Sequence, residues 1–308
     1  MQDRYAGDIG DFGKIALLRH IRETGLTIGV NWYKVEPADY EKKPDGSYKQ
    51  DDGKYCIPNK YCGCDEKLAS ILLKICQSED NRSIKAIEEA DLIAGAKYYN
   101  VPVSVENRAI WHKNALKKLN DAELVFLDPD NGMLVDSVKD TSARSIKYAF
   151  YEEVVSYLKN YQSVLVYNHR SRMKESEYFT DKYNRFLKKL EDIGEKNILA
   201  ITFPRCSVRD YFAICATTEH YEMIKTAFDN MLMGPWGDKK TGICRRPILN
   251  DNEPTKSYKG VYEFQKANPT KLEKERALRE MTNEQIDELI ETSRNIQAKI
   301  FYSSFKKK

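Results

Sequence analysis

The chain lacks any apolar run close to the roughly 18 residues that a membrane-spanning helix needs, and its opening, MQDRYAGDIGD, contains no apolar signal segment. It also lacks internal repeats and low-complexity tracts. The net charge of +3 is nearly balanced, so charge alone neither requires nor excludes a nucleic-acid partner. These absences predict a globular, cytoplasmic protein that makes no membrane contact.

The number and spacing of the cysteines favour neither a metal site nor a disulfide framework. Seven cysteines are an odd number, which argues against the disulfide scaffold of a secreted protein. Four of them, Cys56, Cys62, Cys64 and Cys76, lie close together. Their spacing lacks the Cys-x₂-Cys pairs typical of structural zinc sites, so we expect ordinary thiols rather than metal ligands.

What the chain does contain is a regular alternation of apolar strands with amphipathic helices over most of its 308 residues. Strands are predicted at 26–35, 101–105, 124–129, 163–169, 197–203 and 209–217, and helices at 11–23, 65–77, 83–94, 108–119, 145–160, 175–193 and 219–232. This alternation predicts an α/β protein with a doubly wound, mostly parallel sheet. The short PRCSV connection predicts that the last two strands form an antiparallel pair at one edge.

The composition of the sequence indicates two regions. Residues 1–233 are predicted to form a Rossmann-like α/β domain with an insertion near 37–64, where Gly, Lys and a Pro-Asp-Gly turn are frequent. Residues 234–308 are predicted to be a linker followed by a helical C-terminal extension, with a helix over 272–301 and a capping box from Thr282 to Gln285. We expect these helices to pack or to contact a protein partner.

A polar loop follows the apolar strand LVFL. The sequence LVFLDPDNG places Asp128 at the carboxyl end of the strand, with Asp130 and Asn131 in the loop and Gly132 allowing close backbone approach. The next strand, SVLVYNH, ends at His169. Polar residues at two successive strand ends indicate a functional site. The alternative is that the aspartates only cap a turn.

A second cluster lies in the opening segment YAGDIGDFGK. Its candidate ligand-binding residues are Gly7, Asp8, Asp11 and Lys14, just before and within the start of a helix. Glycines and a helix N-terminus favour anionic groups, whereas the two aspartates favour cations, ribose hydroxyls or amino groups. The alternative is a flexible lead-in with Asp11 as the helix cap.

The two clusters, in this order, resemble the J-type ribosomal RNA adenine-N6 methyltransferases. Ala6, Gly7, Asp11 and Lys14 match the opening motif of that family, and Asp128 with Pro129 matches the first half of its Asp-Pro-Pro-Tyr-Glu motif. The resemblance implies a class I methyltransferase fold, S-adenosylmethionine as cofactor and a nucleic-acid substrate, with Asp128 orienting the acceptor amino group.

The chain also departs from that pattern. Asp130 and Asn131 replace the proline and the aromatic residue, and NWYKVEPAD stands where the family has a glycine-rich turn for the methyl donor. In this segment Trp32, Tyr33 and Glu36 are the candidates for holding a nucleoside by stacking and hydroxyl contacts.

Three functional hypotheses follow. The first is a methyltransferase-like enzyme acting on nucleic acid or a nucleotide. The second is a metal-dependent nuclease or phosphodiesterase in which Asp8, Asp11, Asp128 and Asp130 hold Mg²⁺. In that reading His169 acts as a base and Arg170 and Arg172 hold phosphates. The third is a non-catalytic nucleotide-binding module. All three require that the opening segment and the acidic loop meet at one edge of the sheet.

Overall fold

The computed structural model of the chain describes residues 1–36, 56–78, 80–190, 197–247, 281–293 and 302–306, together with 278 and 299. The chain divides into two compact units, Met1–Pro247 and Ile248–Lys308. Residues 234–247, assigned to the linker on their composition, belong to the first unit. They are held there because Trp236 is buried and the backbone of Arg245 pairs with Thr202.

The first unit is built on a six-stranded sheet whose strands are β1 Ile28–Asn31, β2 Lys97–Tyr99, β3 Leu124–Leu127, β6 Ser163–His169, β7 Asn197–Phe203 and β8 Arg209–Cys215. Their order in the sheet is β2-β1-β3-β6-β8-β7. Two short strands, β4 Gly132–Met133 and β5 Tyr148–Ala149, form a separate parallel pair. The predicted α/β fold with a mostly parallel sheet is confirmed.

Strand direction decides which residues share an edge. Strands β2, β1, β3 and β6 run parallel, whereas β8 runs antiparallel to both β6 and β7. The predicted antiparallel pair is therefore present. Because β8 runs backwards, its first residue, Arg209, lies opposite His169 at the carboxyl end of β6.

Helices cover both faces of the sheet. They are α1 Ile9–Glu23, α2 Asn59–Cys62, α3 Glu66–Gln77, α4 Ile84–Glu89, α5 Arg108–Lys118, α6 Tyr151–Lys159, α7 Glu175–Lys189 and α8 Thr218–Met233. Leu124 and Phe126 of β3 pack in one apolar cluster with α1, α3, α4 and α8, and Val125 and Leu127 pack in the other with α5, α6 and α7. This alternation follows from the pleat of a strand that is buried on both sides.

Several predicted boundaries are wrong. The edge strand lies at Lys97–Tyr99 rather than at 101–105, where Pro102 has no amide hydrogen to donate to a ladder. The helix predicted at 145–160 is divided into a 3₁₀ turn Ala143–Lys147, strand β5 and α6. The helix predicted at 83–94 ends at Glu89. Helix α1 begins two residues earlier than expected, and its cap is Asp8 rather than Asp11.

The cysteines also differ from expectation, because Cys56 and Cys76 form a disulfide that ties the residues before α2 to α3. Cys62 and Cys64 are free thiols.

The second unit has a small apolar cluster of its own, formed by Leu278, Met281, Ile286 and Leu289. Helix α9 Asn283–Thr292 starts with the predicted capping box between Thr282 and Gln285. Most of the predicted insertion at 37–64 and much of the helix predicted at 272–301 lie outside the described residues. Within the described part of the chain, no helix combines the length and the apolar character that crossing a membrane requires.

Candidate functional site

A cavity of about 470 Å³ opens where the carboxyl ends of β3 and β6 meet the start of α1. Ligand pockets commonly measure about 300–1,000 Å³, so its size suits a small molecule or one nucleotide unit. The lining residues are Met1, Gln2, Arg4, Tyr5, Asp8, Gly10, Asp11, Lys14, Asp128, Pro129, Asp130, Asn131, Lys147, Tyr167, His169, Ser207 and Arg209. Both clusters singled out in the sequence therefore contribute to one cavity.

The opening segment is shaped by glycine and by a helix cap. Gly7 adopts a φ of +77°, and a Cβ placed there would come within 2.4 Å of the carbonyl oxygen of Leu72. Only glycine fits this turn without strain. Its amide donates a 2.7 Å hydrogen bond to Oδ2 of Asp11. Asp8 accepts from the amides of Gly10 and Asp11 and so caps α1.

Lys14 joins the two clusters at the floor of the cavity. Its Nζ lies 2.6 Å from Oδ2 of Asp128 and 3.0 Å from Oδ1 of Asp11, and all three side chains are buried. Burial alone would lower the pKa of Lys14, but the two carboxylates outweigh it and raise that pKa well above its usual value. Burial raises the pKa of Asp128 despite the opposing charge of Lys14. The site therefore holds one ammonium between two carboxylates.

Met1 occupies the crevice between β1 and β3, where the strand order reverses. Its amino group donates to the carbonyl oxygens of Trp32, Tyr33 and Asp128. It also lies 2.9 Å from Oδ1 of Asp130. Burial would raise the pKa of Asp130, but the amino group of Met1 lowers it below the usual value. Backbone acceptors that a ligand would meet in this crevice are thus already used by the chain.

The acidic loop is fixed against the end of β6. Gly132 has a φ of +101°, and a Cβ there would lie 2.2 Å from Oδ1 of Asn168. That oxygen accepts a hydrogen bond from the amide of Met133. The amide of His169 in turn donates to the carbonyl of Asn131 at 3.4 Å. Asp128 and Asp130 do not cap a turn, because their side chains contact Lys14, Met1 and Gln2 instead.

His169 lines the cavity, whereas Arg170, the next residue, does not. Burial lowers the pKa of His169, and the nearby Arg209 lowers it further, which favours the neutral imidazole. Arg170 does not reach into the cavity, because it bonds to Asp210, Glu175 and Thr202. Its expected phosphate contact is therefore replaced by a buried ion network.

The predicted site residues fall into two groups. Those that line the cavity are Asp8, Asp11, Lys14, Asp128, Asp130, Asn131 and His169. Gly7, Trp32 and Glu36 are not among its lining residues. Trp32 is fully buried, donates its indole N–H to Glu88 and lies 5.9 Å from the ammonium of Lys14. Glu36 pairs with Lys34 instead.

Sequence reasoning missed Tyr167, Ser207 and Arg209 as cavity residues. The predicted antiparallel pairing of the last two strands could have identified Arg209 as a cavity residue. A strand that returns antiparallel beside β6 must start where β6 ends, so the residues after the PRCSV connection reach the same edge.

The carboxylates of the cavity suit a bound divalent cation poorly. A Mg²⁺ site needs oxygens whose charge the ion itself balances. Here Lys14 balances Asp11 and Asp128, Met1 balances Asp130, and backbone amides of α1 hold Asp8. Among the described residues, no group of three or more metal-ligating side chains comes together.

No protein-family model matches the chain, and a search of curated proteins finds no match.

Proposed function

We propose that this protein is methyltransferase-like and acts on a nucleotide, or on one nucleotide unit of a nucleic acid, held in the cavity between α1, β3 and β6. The observation that supports this proposal is the contact of Lys14 with both Asp11 and Asp128. It joins the glycine-rich opening and the acidic loop at the carboxyl edge of the sheet. In open α/β sheets, ligands bind at this edge.

The cavity residues provide contacts suited to such a ligand. Asp128, which lines the cavity, would accept a hydrogen bond from an amino group of a base, while Lys14 stays on Oδ2 and keeps the carboxylate oriented. Tyr5 and Tyr167 offer aromatic surfaces for stacking, and Arg209 offers a cation for phosphate. His169, whose lowered pKa favours the neutral form, would accept a proton.

The residues expected to bind the methyl donor do not form a site for it. The residues expected to hold its nucleoside, Trp32 and Glu36, do not line the cavity, and Met1 fills the crevice between β1 and β3. These residues do not fit S-adenosylmethionine. This misfit favours a second candidate function, a nucleotide-binding module that performs no methyl transfer.

Calorimetry separates these functions. The four nucleoside monophosphates and S-adenosylmethionine are titrated separately into the wild-type protein and into Asp128→Asn. We expect one monophosphate to bind and the substitution to weaken it about tenfold, the loss of one charged hydrogen bond. Binding of S-adenosylmethionine would support methyl transfer, and its absence would support the module. If no monophosphate binds, both are wrong.

The hypothesis of a metal-dependent nuclease stays a prediction, and a cleavage assay tests it. Incubation of single-stranded DNA and RNA with Mg²⁺ or Mn²⁺ should give no cleavage if ammonium groups already balance the aspartates. Cleavage that disappears in Asp128→Asn would contradict that conclusion.

A further inference from the structure

The candidate cavity does not end at Arg209. Gly10 and Arg209 line both this cavity and a narrow second pocket, and Arg205 and Ile243 line both the second pocket and a third. The third pocket has a volume of about 190 Å³ and lies between the β7–β8 connection and the loop 237–245. The three pockets therefore adjoin one another along a path over the surface from the candidate cavity, and the middle pocket, of about 10 Å³, has room for about one water molecule.

Cationic side chains follow this path. Arg205 and Lys239 are exposed. Within the part of the chain that the structure describes, neither makes a hydrogen bond or an ion pair. Arg209 donates to the carbonyl of Ser207 and in the same part of the chain forms no ion pair, although against the effect of burial the charge of the nearby Asp8 raises its pKa. By contrast, Arg245 is already paired with Glu175. Three cations are thus available to an anion that enters the path.

The loop that carries Lys239 is held in one conformation by its own packing. A Cβ at Gly237 would lie 2.0 Å from the carbonyl oxygen of Leu232, and one at Gly242 would lie 2.4 Å from that of Trp236. Asp238 is the one carboxylate among the lining residues of the third pocket, and its Oδ1 accepts hydrogen bonds from within the loop, two of them from Thr241. An ordered loop lowers the entropic cost of placing Lys239 beside a ligand.

We propose that Arg205, Arg209 and Lys239 form a phosphate-binding subsite for the ligand whose nucleoside occupies the candidate cavity. This proposal rests on the proposed function. The ligand must then carry phosphate groups that pass Gly10 on the solvent side of the narrow middle pocket and reach Arg205 and Lys239. Such phosphates have two sources, the neighbouring units of a nucleic-acid strand or the terminal groups of a nucleoside triphosphate.

The test compares two variants that each lose two positive charges. Arg205→Ala/Lys239→Ala removes the outer part of the subsite, and Lys113→Ala/Lys117→Ala removes two exposed lysines of α5 that line none of the three pockets. Both changes lie at exposed positions, so circular dichroism should show unchanged folding.

Three probes are used: the nucleoside monophosphate that binds best, its triphosphate, and a single-stranded oligonucleotide of the same base, about ten units long. Each phosphate contact to a single strand contributes about 0.7 to the dependence of log K on log salt, so two lost contacts should weaken binding about 25-fold at about 0.1 M salt. The control variant should bind like the wild type.

The pattern of losses identifies the source of the phosphate. Weakened oligonucleotide binding with unchanged monophosphate binding supports a strand, and weakened triphosphate binding alone supports the terminal groups. If the monophosphate binds wild-type protein but the subsite variant changes neither longer probe, or the control variant loses as much, the subsite is wrong and the proposed function stands. If the wild type binds no probe, both are wrong.

Discussion

Replacing Lys14 with methionine should destabilise the protein far more than a typical loss of a lysine. Methionine keeps much of the apolar stem and removes the ammonium that lies 2.6 Å from Asp128 and 3.0 Å from Asp11. Both carboxylates are then left without their cation in a buried site. Removal of one member of a buried ion pair costs about 3–5 kcal/mol. We therefore expect a loss of this size in the free energy of unfolding at pH 7, measured by urea denaturation.

Substitution of Asp128 should cost less stability, because Lys14 has two carboxylate partners and would lose only one of them. Asp128→Asn leaves Lys14 still paired with Asp11, so the expected loss is about 1.5–3 kcal/mol, the value of one hydrogen bond to a charged group. In a double-mutant cycle the two losses should not add, with a coupling of roughly 2 kcal/mol. As a control, Lys225→Met removes an exposed ion pair with Asp229 on α8 and should change stability much less.

The stability loss in Lys14→Met should depend on pH. Burial already raises the pKa of Asp11 and Asp128 above 3.8, and loss of Lys14 should raise both further because the cation opposed that shift. A carboxyl group with a raised pKa binds its proton more tightly in the folded state than in the unfolded state, so lowering the pH stabilises the fold. The gap between wild type and Lys14→Met should therefore narrow from pH 7 to about pH 5. A loss below about 1 kcal/mol, or a gap independent of pH, would refute the reasoning.

Two further predictions concern other buried groups. His112 packs edge-on against Tyr157, and burial lowers its pKa below 6.5. Its protonation is therefore easier in the unfolded state, so stability should fall as the pH drops below about 6.5, and thermal melts of His112→Phe should show a shallower fall. Arg108 forms a buried ion pair with Glu153 and also donates to backbone carbonyls, so Arg108→Met should cost about 3–5 kcal/mol in guanidinium denaturation. A loss close to that of an exposed ion pair would show that water reaches this arginine.

Much of the sheet was predictable because its strands are fully buried and their apolar runs are short and distinct. Strands β6 and β7 begin and end as predicted. The edge strand β2 was misplaced, since only three residues pair with β1 and its exposed side carries no apolar signal. The apolar period of residues 148–149 predicts a helix, yet these residues pair with Gly132 and Met133 after the acidic loop. Such local pairing depends on the path of a loop distant in the sequence.

The candidate site was predictable in its position and less so in its chemistry. The rule that ligands bind at the carboxyl edge of a parallel sheet placed Asp128 correctly at one end of β3. It did not show that Lys14 reaches across from α1, because that contact joins residues on different elements. The sequence alone suggests that Trp32 is a stacking surface for a ligand. An indole whose N–H donates to Glu88 is equally well suited to the hydrophobic core. Residue type alone does not distinguish these environments.

The glycines of the opening segment provide a last test of whether the backbone there organises the site. Gly7 and Gly10 receive the same substitution, alanine. At Gly7 the new methyl group meets backbone atoms of α3, 2.4 Å from the oxygen of Leu72, at a φ of +77°. At Gly10 its near neighbours are side-chain atoms: Oδ1 of Asp8, which caps α1, at 2.9 Å, and Nε of Arg209 at 3.0 Å.

Gly7→Ala should therefore cost about 2–4 kcal/mol from strain and overlap, whereas Gly10→Ala should cost clearly less, because its φ is ordinary for alanine and only side-chain atoms must shift. Because the amide of Gly7 holds Asp11, which in turn holds Lys14, Gly7→Ala should also weaken nucleotide binding, measured by calorimetry at a temperature where both variants are folded. Equal stability losses in the two variants would mean that the turn at Gly7 yields readily. The opening segment would then be a flexible lead-in to α1 rather than the support of the site.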